Sequence, residues 1–273
     1  MAGRELTSLH SPRVKAARRL AKRAFRQREN RFLAEGPQAV REALTLPGGL
    51  VELFTTAEAE NRHPELIGAA DAAGVDVLRV SGEIMAELAQ TVTPQGLLAV
   101  CGFIDVPLER ALEQRPRLVT VLAHVRDPGN AGTVLRTADA AGASAVVFTD
   151  ASVDPYNGKC VRASAGSLFH LPVVVGPRVE TLIPALREAG LTVLAADGAG
   201  KRSLDEALDA GVLAGPTAWI FGNEAWGLPE EILQQVDEVV SVPIYGRAES
   251  LNLATAAAVC LYASSRAQRT AAP

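Results

Sequence analysis

Apolar residues along this chain fall into short, near-continuous runs at 118–123, 145–149, 171–175, 192–196, 218–221 and 239–242. Runs of this kind, without polar alternation, fit parallel strands covered on both faces. Between them, apolar positions spaced by three and four predict helices at about 131–141, 157–165, 179–189, 203–208 and 230–236. The alternation reads as an α/β domain with a mostly parallel sheet over 118–273. Ahead of it, strands at 31–35, 50–55, 75–80 and 97–103 alternate with helices at 37–46, 64–73 and 83–89, a small α/β unit over 31–104. The charged stretch 105–117, with Pro107 and Pro116 near its ends, reads as an interdomain linker.

Residues 1–30 differ in kind. From Ser11, Val14, Ala17, Leu20, Ala21, Ala24 and Phe25 recur at helical spacing, which predicts one helix to about residue 28, roughly 25 Å long, with Arg18, Arg19, Lys22 and Arg26 facing outward. Residues 1–31 hold ten Lys or Arg against two Glu, a balance of +8 in a chain of net charge −4, which leaves −12 elsewhere. Such a basic arm attracts a polyanion, RNA above all; the alternative is a solvated helix face. No apolar run is long enough for a membrane span and no signal peptide opens the chain, so a cytoplasmic protein is expected. Cys101, Cys160 and Cys260 lie far apart, and the four His have no mutual ligand spacing, so neither disulfides nor a metal is expected.

Chemistry concentrates at strand ends. The run 118–123 leads into His124-Val-Arg-Asp-Pro-Gly-Asn130-Ala-Gly132, with Arg136 further along the helix. Open α/β sheets place their sites at such carboxyl ends, although an ordinary Asn-Gly turn would look the same. The run 218–221 breaks into Gly222-Asn223-Glu224, and the run 239–242 into Pro243 and a polar loop. That loop closes at Ser250, read as the N-cap of the Ala-rich helix that follows. Asn252 would then sit just inside that helix, where Asn has poor propensity. Gly198-Ala-Gly-Lys-Arg-Ser203 misses phosphate-loop spacing, no Gly-x-Gly-x-x-Gly follows an early strand, and no Gly-x-Ser-x-Gly elbow is present. Nucleotide hydrolysis, nicotinamide redox chemistry and elbow-type hydrolases are thereby disfavoured.

Taken in order, Asn130-x-Gly132-x-x-x-Arg136, Phe221-Gly222-Asn223-Glu224-x-x-Gly227-Leu228, and Val242-Pro243-Ile244 with Ser250-Leu251-Asn252 resemble the three motifs of the SpoU (TrmH-type) RNA 2′-O-ribose methyltransferases of the SPOUT superfamily. The front unit is similar to the small ribosomal-protein-like substrate-binding domain of many members. The resemblance implies a C-terminal deep trefoil knot, which general topology rules would not suggest. It also implies a homodimer and an S-adenosylmethionine site formed by Ala196, Phe221, Gly222, Asn223, Gly227, Val242, Pro243, Ile244 and Leu251. Its catalytic set carries onto Arg136, Asn130, Glu224, Ser250 and Asn252, with Glu224 and Asn252 expected to pair with Arg136. The implied substrate is ribosomal RNA, 23S foremost; transfer RNA, or a non-catalytic RNA-binding protein on the same fold, remain alternatives.

Overall fold

The computed structural model describes residues 4–270, so the outermost three residues of the 1–30 and 118–273 ranges lie outside it. Contacts divide the chain into two units, one of residues up to Ile104 with Tyr156–His170, the other of Asp105–Pro155 with the chain from Leu171 on.

The first unit carries a mixed five-stranded sheet made of β1 (Arg4–Leu6), β2 (Arg31–Glu35), β3 (Leu50–Thr55), β4 (Asp76–Val80) and β5 (Leu97–Gly102), in the order β1-β4-β3-β5-β2. β5 runs antiparallel to both β2 and β3, while β1, β3 and β4 are parallel. The basic segment is packed against this sheet, with Val14, Ala17 and Leu20 buried beside Leu33, Phe54, Leu78 and Met85.

It is not one helix but two, Pro12–Arg19 and Arg23–Glu29. The break is capped from within the segment. Carbonyls at a helix end lack intrahelical partners, and Arg26 supplies one by donating from Nη1 to the Leu20 and Ala21 carbonyl oxygens, both at 2.9 Å. Arg26 is thus 2% exposed, and the expectation that it faces RNA is corrected.

Tyr156–His170 also packs in this unit. The Tyr156 ring stacks on Phe103 at 4.1 Å and approaches Phe32 at 4.7 Å, while its hydroxyl accepts the Ile104 N–H at 2.9 Å.

The second unit is a seven-stranded, wholly parallel sheet: β6 (Leu118–Leu122), β7 (Ala145–Phe148), β8 (Val173–Val175), β9 (Thr192–Ala196), β10 (Arg202–Ser203), β11 (Thr217–Phe221) and β12 (Glu238–Ser241), in the order β10-β12-β9-β11-β6-β7-β8. Every residue of β6, β7 and β11 is buried, as their unbroken apolar runs require. Residues 105–117 are no free linker: they form a helix at Leu108–Leu112 that buries Ala111 in this core, with Val106, Leu108 and Leu112 packed beside it.

Strand order reverses direction between β6 and β11, where ligand crevices form outside the strand ends. Phe221 pairs with Leu122 on one side and Ala196 on the other, so β6, β9 and β11 end level and release their loops together. The last helix, Leu253–Thr270, is fixed by a buried bond from Trp219 Nε1 to Ser264 Oγ at 2.8 Å and by Gln268 Nε2 to the Arg117 and Gly215 carbonyls, each at 2.9 Å.

Candidate active site

The loop after β6 turns at His124, whose φ of +59° lies in the left-handed region, which non-glycine residues rarely enter. Its carbonyl accepts Asn223 Nδ2 at 2.9 Å, and Asn223 Oδ1 accepts the Ala225 N–H at 2.9 Å. Asn223 therefore latches the β6 loop to the β11 loop. Three residues on, Asp127 caps the helix Pro128–Ala141 by accepting the Asn130 N–H at 2.8 Å, with Pro128 at the first helical position.

Glu224 binds the same turn. One carboxylate oxygen accepts the Arg126 N–H at 3.2 Å; the other accepts the Asp127 N–H at 3.1 Å and Asn130 Nδ2 at 3.3 Å. A carboxylate here also sits at the positive end of the helix dipole. Asn130 Oδ1 in turn accepts Asn252 Nδ2 at 3.1 Å, and Asn252 Oδ1 accepts the Ala254 N–H at 2.9 Å. Because a carboxylate only accepts and a backbone N–H only donates, the two ends of this chain of bonds fix the orientation of both amides between them.

Two expectations change. The last helix begins at Leu253, and its cap is Asn252, not Ser250, which lies three residues before the helix start. Arg136 is not paired with Glu224 or Asn252. It lies six residues beyond Asn130, roughly 9 Å along the helix, exposed, and its side chain has no hydrogen bond or ion pair among the described residues. Asn130 takes the place expected for Arg136 and joins Glu224 to Asn252.

Beside this chain of bonds lies a cleft of about 460 Å³, within the usual range of small-molecule sites. Ala196, Phe221, Gly222, Asn223, Glu224, Gly227, Val242, Ile244, Ser250 and Leu251 line it; Pro243 does not. Asp197, Gly198, Ala225, Trp226, Glu249, Leu253 and Ala256 complete the wall. Asp127-Pro128 was readable as a helix start, whereas nothing in the residue pattern singled out Asp197 or Trp226.

Gly222 is forced by close approach: a Cβ there would lie 2.4 Å from the Gly227 carbonyl oxygen. Gly227, at φ +69°, closes the loop through reciprocal backbone bonds with Asn223 at 2.8 and 2.9 Å. Next to Ile244, the exposed Tyr245 donates its hydroxyl to Asp205 at 2.7 Å; that bond and the carboxylate charge hold the phenol above its ordinary pKa.

Charge in the cleft is one-sided. Its charged lining residues are Asp197, Glu224 and Glu249, with no Lys, Arg or His. Arg126 and Arg136 are exposed cations on the adjoining loop and helix, each without an ion pair among the described residues. Among those residues no cluster suits a metal ion, and no helix is long and apolar enough to cross a membrane. Burial pushes the Cys101 and Cys260 thiols up, Cys260 to about 12, so neither serves as a nucleophile at neutral pH.

Residues 117–262, which span the whole of this site, match the SpoU rRNA Methylase family. The chain belongs to that family. Its first unit matches the MRM3-like substrate binding domain over residues 11–99. Over 95% of its length this SpoU methylase is 34% identical to the 23S rRNA (guanosine(2553)-2′-O)-methyltransferase RlmP of Bacillus subtilis, covering 98% of that protein.

An AdoMet-bound rRNA methyltransferase from Sinorhizobium meliloti superposes with a TM-score of 0.84 at 32% identity, covering 96% of this chain and 97% of that one. The SpoU methyltransferase AviRb from Streptomyces viridochromogenes, in complex with AdoMet, gives 0.82 at 28%, covering 96% and 100%. The protein is an S-adenosylmethionine-dependent RNA 2′-O-methyltransferase. Its cleft fits the donor chemically, since carboxylates without cations favour a positively charged sulfonium and disfavour phosphate.

Of the basic residues expected to meet RNA, Arg18 pairs with Glu87 at 3.3 Å, Arg19 lies 5.6 Å from the Phe25 ring, and Lys22 is exposed. Removing the segment would expose the Val14, Ala17 and Leu20 face of the core, so charge replacement is the cleaner test. Arg19→Gln with Lys22→Gln is expected to flatten the slope of log affinity against log salt by about 1.4 for two single-strand phosphate contacts. Arg26→Gln is expected to lower thermal stability and leave that slope unchanged, because its guanidinium is spent on backbone carbonyls. Filter binding across a salt series, with a melting curve for each variant, checks both.

Proposed function

We propose that this SpoU methylase acts on a ribose 2′-hydroxyl of 23S ribosomal RNA in the cytoplasm. The observation that carries the reading is the cation-free cleft bordered by the Glu224–Asn130–Asn252 chain of bonds, with exposed arginines just outside it. When bound, the donor supplies an electrophilic methyl on a cationic sulfur. Gly222, Asn223, Gly227, Val242, Ile244 and Leu251 hold it, largely through backbone and small apolar surface, while Ala196 and Phe221 form the strand ends beneath and Pro243 stiffens the loop. Glu224, Asn130, Asn252 and Ser250 border the place where the ribose oxygen meets the methyl.

Arg136 orients the acceptor through a phosphate. A guanidinium keeps its proton in proteins, so it aligns the hydroxyl and does not deprotonate it. The first unit, with Arg18, Arg19 and Lys22, holds RNA outside the site; the similarity of residues 11–99 to a substrate-binding domain supports this.

A homodimer and a trefoil knot complete the reading. Val259 and Tyr262 are 40% and 52% exposed on one face of the last helix, an apolar face of the kind that two-fold dimers bury. The knot is supported by the return of that helix, after the loop 242–252, onto β11 and the helix Pro128–Ala141.

Incubation with methyl-labelled donor and unmodified RNA tests the function. One alkali-resistant linkage in 23S RNA is expected. Methylation of transfer RNA alone overturns the substrate, and no methylation of any RNA overturns the activity of the site. Arg136→Ala is expected to lower kcat about 100-fold or more with donor affinity unchanged.

A further inference from the structure

Trp226 is the largest apolar side chain in the cleft wall that remains exposed, at 53%. It sits on a tight loop closed by the Asn223–Gly227 backbone bonds, so its backbone is held in place. One side of the indole meets the imidazole of His124, with centroids 5.6 Å apart and planes inclined at 47°. His124 is itself fixed, its N–H donating to Thr149 Oγ1 at 3.3 Å and its carbonyl taken by Asn223. The result is an aromatic surface in the cleft wall, on the side of the loop that carries His124 and Arg126.

The neighbouring charges narrow what such a surface meets. Glu224 and Glu249 repel phosphate from the indole, whereas an uncharged ring face carries no such penalty. A flat heteroaromatic ring is the partner that a half-exposed indole on a closed loop suits.

We propose that Trp226, braced by His124, is a stacking platform for a nucleobase of the acceptor RNA, and so a positioning residue that seats the target ribose beside the methyl donor. The inference rests on the RNA 2′-hydroxyl as acceptor. It adds a base-binding subsite that none of the three motifs contains: only Gly222, Asn223, Glu224, Gly227 and Leu228 of this loop belong to them.

The chain has two tryptophans, and Trp219 is fully buried, so an RNA-dependent change in indole emission reads Trp226 directly. The protein, loaded with S-adenosylhomocysteine, is titrated with unmodified 23S RNA transcript. Quenching is expected in the wild type and absent in Trp226→Ala. Trp226→Ala is also expected to raise the KM for RNA about 10-fold or more, at unchanged affinity for S-adenosylhomocysteine, with Trp226→Phe recovering most of it.

Three results overturn the platform: no quenching in wild type although RNA is bound by filter assay, a loss of S-adenosylhomocysteine affinity in Trp226→Ala as large as the loss for RNA, or a smaller species on gel filtration, which would assign the indole to a second copy of the chain. Quenching in a protein that methylates no RNA would sustain the platform and sink the proposed function, so the two failures are distinct.

Discussion

A Gly222→Ala protein is expected to remain folded and to bind S-adenosylmethionine about 10- to 100-fold more weakly, with methyl transfer reduced in step at low donor concentration. The added methyl would lie 2.4 Å from the Gly227 carbonyl oxygen, 2.5 Å from its carbon and 2.7 Å from Leu228 Cγ. Two of those three atoms are backbone and cannot rotate away. The cheapest relief moves the 223–227 loop outward and stretches the reciprocal Asn223–Gly227 bonds. Overpacking of this kind costs about 1–3 kcal/mol, and it falls on the loop that forms one wall of the cleft. Calorimetry with the donor and a melting curve separate the two effects. Unchanged donor affinity would remove Gly222 from the donor site, and collapse of the melting curve would make it a folding residue.

Elements legible in the sequence share one property: their burial is encoded locally. β2, β3 and β9 coincide with the strands expected at 31–35, 50–55 and 192–196, and the buried strands β6, β7 and β11 follow near-continuous apolar runs. β1 and β10, three and two residues long, are held by pairing with β4 and β12 and have no pattern of their own. In residues 105–117 a charged, proline-bounded stretch hides the few positions, Val106, Leu108, Ala111 and Leu112, that pack into the core.

Arg26 shows the same limit at a single side chain. Composition marks it as one more surface cation, and only the break between two helices turns it inward to the Leu20 and Ala21 carbonyls. In the site, the residues expected to hold the donor, Pro243 apart, line one cleft, because β9 and β11 end in register. Which side chains bond to which was not legible. The helix start at Leu253 makes Asn252 the cap, and helical geometry points Asn130, not Arg136, back at Glu224.

Glu224→Ala is therefore expected to lower kcat about 100-fold while changing thermal stability little. The carboxylate accepts three donors, the Arg126 and Asp127 N–H groups and Asn130 Nδ2, all at an exposed position where water can replace it. Stability then loses little, since exposed bonds are exchanged for bonds to solvent. Geometry loses more. Without Glu224 the β6 loop is tied to the β11 loop only through Asn223 and the His124 carbonyl, and the Asn130 amide can rotate away from Asn252. A misplacement of about 1 Å between acceptor and donor loops is enough for a 100-fold loss.

Glu224→Gln is expected to recover only part of this, because both carboxylate oxygens accept backbone N–H groups and an amide must turn a donor toward one of them. If the three side chains act as a unit, Glu224→Ala and Asn252→Ala together cost little more than either alone. Additive losses would mean that Glu224 and Asn252 contact the substrate independently. A fall in donor affinity matching the fall in kcat would place Glu224 in the donor wall alone.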